Sequence, residues 1–175
     1  SVGSPRDVTP ELREAGILVF ADVASLKHAR QALAAGVDGL ILLTAGAGGQ
    51  AGWLNGFAFV RAVRQFFAGP VILAGGISDG VALRAATVLG ADLGYMGTRF
   101  IAAKESLASD TYKQMVVDSS MDDVLLTRAF SGLATNMLLP SILKMGLDPA
   151  RLDEQVTPET ASERYAGGTE VRRWA

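Results

Sequence analysis

Two glycines follow an apolar run in residues 74–80, which have the sequence AGGISDG. Glycine has no side chain, so the backbone N–H groups at Gly75 and Gly76 are unshielded, and a helix capped by Asp79 should begin close by. Unshielded amides beside a helix N-terminus form an anion site, and phosphate is the common occupant. The motif therefore predicts phosphate binding. A tight turn that requires positive φ is the structural alternative.

A second glycine motif follows the next apolar run, in residues 94–100 with the sequence GYMGTRF. Gly97 exposes another backbone amide, and Thr98 adds a hydroxyl donor. In barrels of parallel strands, the loops after the last two strands commonly bind a phosphate together. Two such motifs on successive strands favour a phosphate site formed by Gly75, Gly76, Gly97 and Thr98. The alternative is that Thr98 only caps a loop.

The third motif is the glycine segment, residues 45–52, with the sequence AGAGGQAG. It lacks the Lys and Ser spacing of a nucleoside-triphosphate loop and the strict G-x-G-x-x-G order. Small residues such as Gly48 and Gly49 would let a flat ring or a small substrate approach the backbone. Gln50 is the one polar side chain in the segment, which makes it the candidate for substrate contact. A flexible loop is the alternative interpretation.

Composition excludes several classes of site. The chain has 175 residues, no Cys and a single histidine, so disulfides, thiolate chemistry and a multi-histidine metal centre within it are excluded. We therefore predict no metal. The net charge of −2 comes without a basic block, which argues against nucleic acid. No apolar run approaches the ~20 residues of a membrane span, and the first residues lack a signal-peptide pattern, so a cytoplasmic protein is expected.

The elements that position these motifs alternate between strand and helix. Short apolar runs at residues 17–21, 39–43, 71–74 and 93–96 predict four buried strands. Ser25, Asn55 and Asp79 are placed to cap three intervening helices. This order predicts an α/β fold with a parallel sheet, in which all three motifs lie at the carboxyl ends of strands. A doubly wound sheet and half of a (β/α)8 barrel both fit the pattern.

The regular alternation stops after Phe100. We expect a helix over residues 110–119, an extended segment over 123–130, and a short helix over 140–145, which together form an irregular, largely helical C-terminal segment. Residues 151–175 are polar and are predicted to be a surface tail. Asn136 is either a cap or a contact at the rim of the sheet, and the sequence does not decide between them.

Taken together, the three glycine motifs resemble the nitronate monooxygenases, formerly called 2-nitropropane dioxygenases. The sequence FSGLATN at residues 130–136 and PSI at 140–142 fit the same family, so the resemblance extends over residues 15–146. It implies a (β/α)8 TIM barrel with FMN at the carboxyl ends of the strands. Residues 1–150 would be its C-terminal half, strands 5–8, and the tail over 151–175 stops where the family would continue. The resemblance also implies which residues bind the cofactor: Gly48, Gly49, Gly75, Gly76, Gly97 and Thr98.

One departure from the family pattern concerns catalysis. The family usually has a histidine where this chain has Gln50, and the Gln50 amide can donate a hydrogen bond but cannot accept a proton. We expect the protein to oxidise alkyl nitronates with O2, since a nitronate is already deprotonated and needs no base. The alternatives are a flavin-dependent enoyl-thioester reductase and a flavin-binding relative without catalytic activity. Half a barrel also leaves open sheet edges and is not expected to be stable or fully active alone. A homo-oligomer is one possible state.

Overall fold

The computed structural model describes residues 5–165 of the chain. The chain divides into two compact units. Unit 1 comprises Ser1–Ala47 and Gly52–Met96, and unit 2 comprises Gly48–Ala51 and Gly97–Ala175. In the part of the chain that is described, no helix has the length and apolar character needed to cross a bilayer.

The regular elements alternate in the first half of the chain and become irregular in the second. The helices are α1 (Thr9–Glu14), α2 (Leu26–Ala34), α3 (Gly56–Arg64), α4 (Gly80–Leu89), α5 (Thr98–Ile101), α6 (Asp110–Asp118), α7 (Leu139–Lys144) and α8 (Pro158–Tyr165). The strands are β1 (Phe20–Val23), β2 (Gly39–Leu43), β3 (Gly49–Gln50), β4 (Val71–Ala74), β5 (Leu93–Tyr95), β6 (Val124–Thr127) and β7 (Thr135–Leu138). Three-residue 3-10 helices begin at Pro5, Met121 and Pro149.

Unit 1 is a four-stranded parallel sheet in the order β1-β2-β4-β5, which confirms the predicted α/β class and its parallel sheet. The core lies where the central strands meet α3. Leu40 of β2 and Val71 of β4 are fully buried, as are Val60 and Val63 of α3. The central strands β2 and β4 are buried because helices cover the sheet, as the pattern of the sequence indicated. The prediction that the fourth strand is buried was wrong, because β5 lies at the edge of the sheet and Leu93 and Tyr95 are exposed.

The predicted helix caps in unit 1 are confirmed. The side chains of Ser25, Asn55 and Asp79 accept hydrogen bonds from the first-turn N–H groups of α2, α3 and α4. In the sequence, Gly69 and Pro70 predict the end of the helix that Asn55 caps, but α3 stops earlier, at Arg64. The guanidinium of Arg64 donates to the carbonyl oxygens of Phe67 and Gly69, which folds the following segment back against the helix end.

The predicted start of the first strand at Ile17 was also wrong. β1 begins at Phe20, whose partner is Gly39, the first residue of β2. No residue of β2 is therefore available to pair with Ile17 or Leu18, which are 50% and 68% exposed. The apolar run in the sequence marks the strand but not its first residue.

The same aspartate contact fixes the register of two strand pairs in unit 1. Asp38, just before β2, donates its N–H to the carbonyl of Val19 and accepts the Val19 N–H on its carboxylate at 2.8 Å. Asp92, just before β5, forms the same two bonds with Val71, at 2.8 and 2.7 Å. Each aspartate follows a helix-ending glycine with positive φ, Gly36 or Gly90. We call this arrangement the register clamp.

Unit 2 contains a three-stranded antiparallel sheet in the order β3-β7-β6, and two of its strands were not predicted. β3 has only two residues and β7 has the polar sequence TNML, so neither shows the apolar pattern of a buried strand. The predictions that were made here, for α6, β6 and α7, are confirmed within a few residues.

The C-terminal part of unit 2 includes α8, and both Val156 and Ala161 are buried. Residues 166–175 of the predicted tail lie outside the described residues. The division of the chain at residue 150 stays a prediction.

The register clamp predicts a pH-dependent loss of stability in Asp92→Asn. The Val71 N–H, with Arg64 beside it, holds the pKa of Asp92 below its usual value, and partial burial offsets some of that effect. A lowered pKa means that the carboxylate stabilises the fold above its unfolded pKa of about 4 and that this contribution is lost as the pH falls through the folded value. Urea unfolding at pH 7 should show a loss of about 1 kcal/mol, since the carboxylate is half exposed.

The difference between Asp92→Asn and the wild type should shrink when the unfolding is repeated below pH 4. Glu14→Gln removes an exposed carboxylate from the end of α1 and serves as the control, for which little change is expected at either pH. An equal effect of the two substitutions at pH 7 would contradict the register clamp.

Candidate functional site

The loops that follow β2 and β4 are locked together in unit 1. The Gly76 N–H donates to the Gly46 carbonyl at 2.9 Å, and a Cβ placed on Gly46 would lie only 3.0 Å from the Gly76 nitrogen. A Cβ on Gly75 would overlap the Thr44 hydroxyl and lie 2.6 Å from the Ala47 nitrogen. The close approach of two backbones therefore requires glycine at Gly75 and leaves only a tight space for a Cβ at Gly46.

Gly75 and Gly76, which we call the glycine turn, both have positive φ, of 119° and 71°. L-residues with side chains rarely adopt such values. A tight turn that requires positive φ, the alternative to phosphate binding, therefore accounts for part of this motif. The Gly76 amide is also not free, because it is bonded to Gly46. In contrast, a Cβ on Gly76 would meet nothing within 4 Å, so the space in front of its α-carbon is open.

Thr44 holds this region together, and sequence reasoning missed it. Its N–H and its hydroxyl both donate to the Ala74 carbonyl, at 3.1 and 2.9 Å, and its own carbonyl accepts from Ala47 and Gly52. The side chain is buried, with 3% exposure. The signal in the sequence was a threonine directly between an apolar strand and a glycine segment, where a hydroxyl can satisfy a backbone group that has left the sheet.

A cavity of about 370 Å³ lies beside the glycine turn in unit 1. It extends along α4, where Ala82, Ala86 and Leu89 line it, and reaches the start of α3. The Asn55 side chain lines it too, but its oxygen is already engaged with the first N–H groups of α3. The lining is mainly alkyl, so this cavity does not by itself supply the donors that a phosphate requires.

In unit 2, β3 carries the predicted residues Gly49 and Gln50. Gly49 is buried with φ of 72° and pairs with Asn136, while Gln50 pairs with Thr135. β3 is an edge strand, and the Gln50 side chain is exposed. Asn136, which the sequence left undecided between a cap and a rim contact, is a residue of the central strand β7.

The Gln50 position continues into a row of polar side chains across the antiparallel sheet. Gln50 pairs with Thr135, and Thr135 pairs with Thr127 on β6, so the three side chains share one face. The Thr135 hydroxyl lies 3.2 Å from that of Ser131, and the Thr127 hydroxyl is bonded to the Glu154 carboxylate. The buried members of the row are thus satisfied by protein groups, and its exposed end is Gln50.

Gly48 and Thr98 are also brought together within unit 2. A Cβ on Gly48 would overlap the Thr98 hydroxyl oxygen, so the hydroxyl lies directly against the Gly48 α-carbon. Thr98 is the first residue of α5, and Gly97 is its N-cap, where an added Cβ would meet nothing within 4 Å. The predicted residues are therefore grouped as Gly48 with Thr98 in unit 2, and as the glycine turn with Gly46 in unit 1.

Over residues 5–165, no group of three or more His, Cys, Asp or Glu side chains is placed to hold a metal ion.

A sequence model of the family described as nitronate monooxygenase matches residues 1–161. The names of two curated relatives describe different reactions. The nitronate monooxygenase of Paraburkholderia phytofirmans is 34% identical over 152 residues, which cover 82% of this chain and 42% of that protein. The (3aS,4S,5R,7aS)-5-hydroxy-7a-methyl-1-oxo-octahydro-1H-indene-4-carboxyl-CoA dehydrogenase of Mycobacterium tuberculosis is 32% identical over 136 residues, with coverage of 76% and 38%.

Among solved structures, the nitroalkane oxidase of Streptomyces ansochromogenes is similar to this chain with a TM-score of 0.75 and 30% sequence identity. The similarity covers 89% of this chain and 47% of the oxidase. This chain therefore spans less than half the length of each of these three proteins.

Three glycine-to-alanine variants test the packing in unit 1. Gly75→Ala combines positive φ with an overlap against backbone and should cost about 2 kcal/mol or more of unfolding free energy. Gly76→Ala has the unfavourable φ but open space and should cost about 1 kcal/mol. Gly80→Ala, with neither constraint, is the matched control and should be neutral or slightly stabilising. Urea unfolding of the protein without cofactor measures all three, and equal costs at Gly75 and Gly80 would contradict the described packing.

Proposed function

The chain belongs to the nitronate monooxygenase family, and from that premise we propose that the protein is an FMN-dependent oxidoreductase that oxidises alkyl nitronates with O2. The proposal includes a nitronate and O2 as its small-molecule partners, no nucleic acid, and a cytoplasmic location. It extends to the fold, in which the four parallel strands of unit 1 form half of a (β/α)8 barrel over residues 1–150. Residues 151–175 would then be a surface tail.

The observation that carries the proposal is the arrangement of glycines after β2 and β4. In parallel sheets, ligands bind at the carboxyl ends of the strands, and these two loops occupy those ends of neighbouring strands. Thr44 and the bond from Gly76 to Gly46 hold the loops in fixed positions. A fixed backbone with open space beside it favours ligand binding, because the protein loses little conformational entropy when the ligand binds.

Two features of the glycine motifs support the assignment of an FMN phosphate site. Open space lies in front of Gly76 and of Gly97, and Thr98 supplies a hydroxyl donor. From the resemblance of these motifs to the family, we propose that Gly75, Gly76, Gly97 and Thr98 hold the phosphate; the Gly76 amide is already bonded within the protein. Gly48 and Gly49 are included in the proposed cofactor site. When bound, FMN would supply the redox chemistry, accepting electrons from the substrate and passing them to O2.

Gln50 is the protein group that we propose contacts the nitronate. Its side chain is exposed on an edge strand, and its backbone is fixed by pairing with Thr135. The side-chain amide can donate a hydrogen bond to a nitronate oxygen and so orient the substrate. It cannot remove a proton from a neutral nitroalkane, so the chain should act only on substrates that are already deprotonated.

A second candidate is a flavin-dependent reductase or dehydrogenase of acyl thioesters. The observation that favours it is the similarity to the Mycobacterium tuberculosis protein, whose name gives a carboxyl-CoA substrate. Reduction of the bound flavin by NADH, or by an acyl-CoA, would favour this candidate over nitronate oxidation. A flavin-binding protein without turnover is the third possibility, because Gln50 replaces the family histidine.

The first prediction from the proposal concerns the visible spectrum of the purified full chain. After incubation with FMN and gel filtration, the protein should retain a flavin band, and anaerobic addition of a nitronate should bleach it because the flavin accepts the substrate's electrons. Air should then restore the band. A retained band that is indifferent to nitronate would refute nitronate oxidation. Failure to retain FMN would refute the cofactor assignment.

The second prediction concerns Gln50→His, which restores the usual family residue. An imidazole can act as a base, so the variant should gain roughly 100-fold or more in turnover of neutral nitroalkanes, with little change on nitronates. The gain should follow a rising pH profile as the histidine deprotonates. Gln50→Ala is the control and should gain nothing on nitroalkanes while turning over nitronates more slowly. Comparable wild-type rates on both substrates would contradict the assigned role of Gln50.

A further inference from the structure

Gly48 is in close contact with the side chain of Thr98. The Thr98 hydroxyl oxygen occupies the space in which a Cβ on Gly48 would stand, and the Thr98 Cβ would be 3.6 Å from that atom. The second distance is an ordinary van der Waals contact. A Cβ at position 48 would therefore clash only with the Thr98 hydroxyl oxygen, and only in the present rotamer of Thr98.

The backbone at Gly48 does not itself require glycine. Gly49 has a left-handed φ of 72°, whereas Gly48 is absent from the set of described glycines with positive φ. An alanine at position 48 would therefore be accepted by the backbone and opposed only by the Thr98 hydroxyl. Space, and not φ, explains the glycine here.

The Gly48 side of this contact is held by the antiparallel sheet, so a clash there would have to be relieved by rotation of the Thr98 side chain. Gly49 is buried and paired with Asn136 in the antiparallel sheet, and the Ala51 N–H donates to the Ala134 carbonyl at 2.9 Å. These bonds fix the segment on both sides of Gln50 and hold Gly48 at one end of it. Thr98 is β-branched, so its side chain has only a few staggered positions available.

We infer that Gly48 is a positioning residue: because it has no side chain, it leaves room for the observed rotamer of Thr98, which sets the direction of the Thr98 hydroxyl. In this role Gly48 acts sterically, through Thr98, in addition to its place in the proposed cofactor site. The identification of the FMN phosphate as the ligand of that hydroxyl depends on the proposed function. The contact between Gly48 and Thr98 does not. A methyl group at position 48 would turn the hydroxyl away from its present direction.

A double-mutant cycle tests this inference in the full chain. The variants are Gly48→Ala, Thr98→Ala and the two combined, with Gly80→Ala as a control because a Cβ there meets nothing within 4 Å. The dissociation constant of FMN is measured by quenching of flavin fluorescence. The urea midpoint of the protein without FMN is the second readout. Thr98→Ser, which keeps the hydroxyl, tests whether the hydroxyl itself is needed.

We expect Gly48→Ala and Thr98→Ala each to weaken FMN binding by roughly tenfold, because both remove the same hydrogen bond to a charged group. The double variant should be no weaker than Thr98→Ala alone, since the conflict disappears with the hydroxyl. Likewise, Gly48→Ala should lower the urea midpoint in the wild-type background but not in the Thr98→Ala background. Gly80→Ala should bind FMN like the wild type, and Thr98→Ser, which keeps a hydroxyl, should bind FMN more tightly than Thr98→Ala.

The outcomes separate the inference from the proposed function. If the wild type binds FMN but Gly48→Ala binds it equally well, or if the two losses add, the positioning role is overturned. If no protein binds FMN, the proposed function and the ligand of Thr98 are overturned. The urea midpoints then decide the contact alone, and additive changes there would overturn it as well.

Discussion

Unit 1 depends on how its parallel strands are held in register, because every glycine loop in it starts from a strand end. At the amino ends, Asp38 and Asp92 each bond both backbone groups of a residue beside the neighbouring strand. At the carboxyl ends, Thr44 bonds the Ala74 carbonyl through both its N–H and its hydroxyl. In a parallel pair a shift by one residue would place every side chain on the opposite face, so these few bonds determine what is buried.

The fixed register explains why the loops can approach so closely. With β2 and β4 aligned, their following loops meet, so no side chain fits at Gly75, and a Cβ at Gly46 would be in tight contact with the Gly76 nitrogen. Packing alone therefore accounts for Gly46 and Gly75. Gly76 differs, since its φ requires glycine but its α-carbon faces open space. A position that is constrained by the backbone and still accessible is where a ligand can approach the main chain.

Unit 2 is organised by a different interaction, the pairing of a two-residue strand with β7. That pairing fixes Gln50 on an exposed edge and holds Gly48 against the Thr98 hydroxyl. The polar row behind Gln50 is internally bonded through Ser131 and Glu154, so its buried hydroxyls are not available to a ligand. The exposed end of the row, Gln50, is the residue to which the proposed function gives substrate contact. The antiparallel sheet supplies this geometry, although β3 and β7 lack the apolar sequence pattern that predicts a strand.

The sequence by itself determined the alternation of strands and helices in unit 1, the caps at Ser25, Asn55 and Asp79, and the family. Each of these is a local signal, because apolar runs, capping side chains and glycine motifs act within a few residues. Only the tertiary structure decided where β1 begins, that β3 and β7 are strands, and that Thr44 joins two loops. Those features depend on partners remote in the chain: Phe20 needs Gly39, Gly49 needs Asn136, and Thr44 needs Ala74. The type of a residue does not indicate which distant backbone group will be its hydrogen-bond partner.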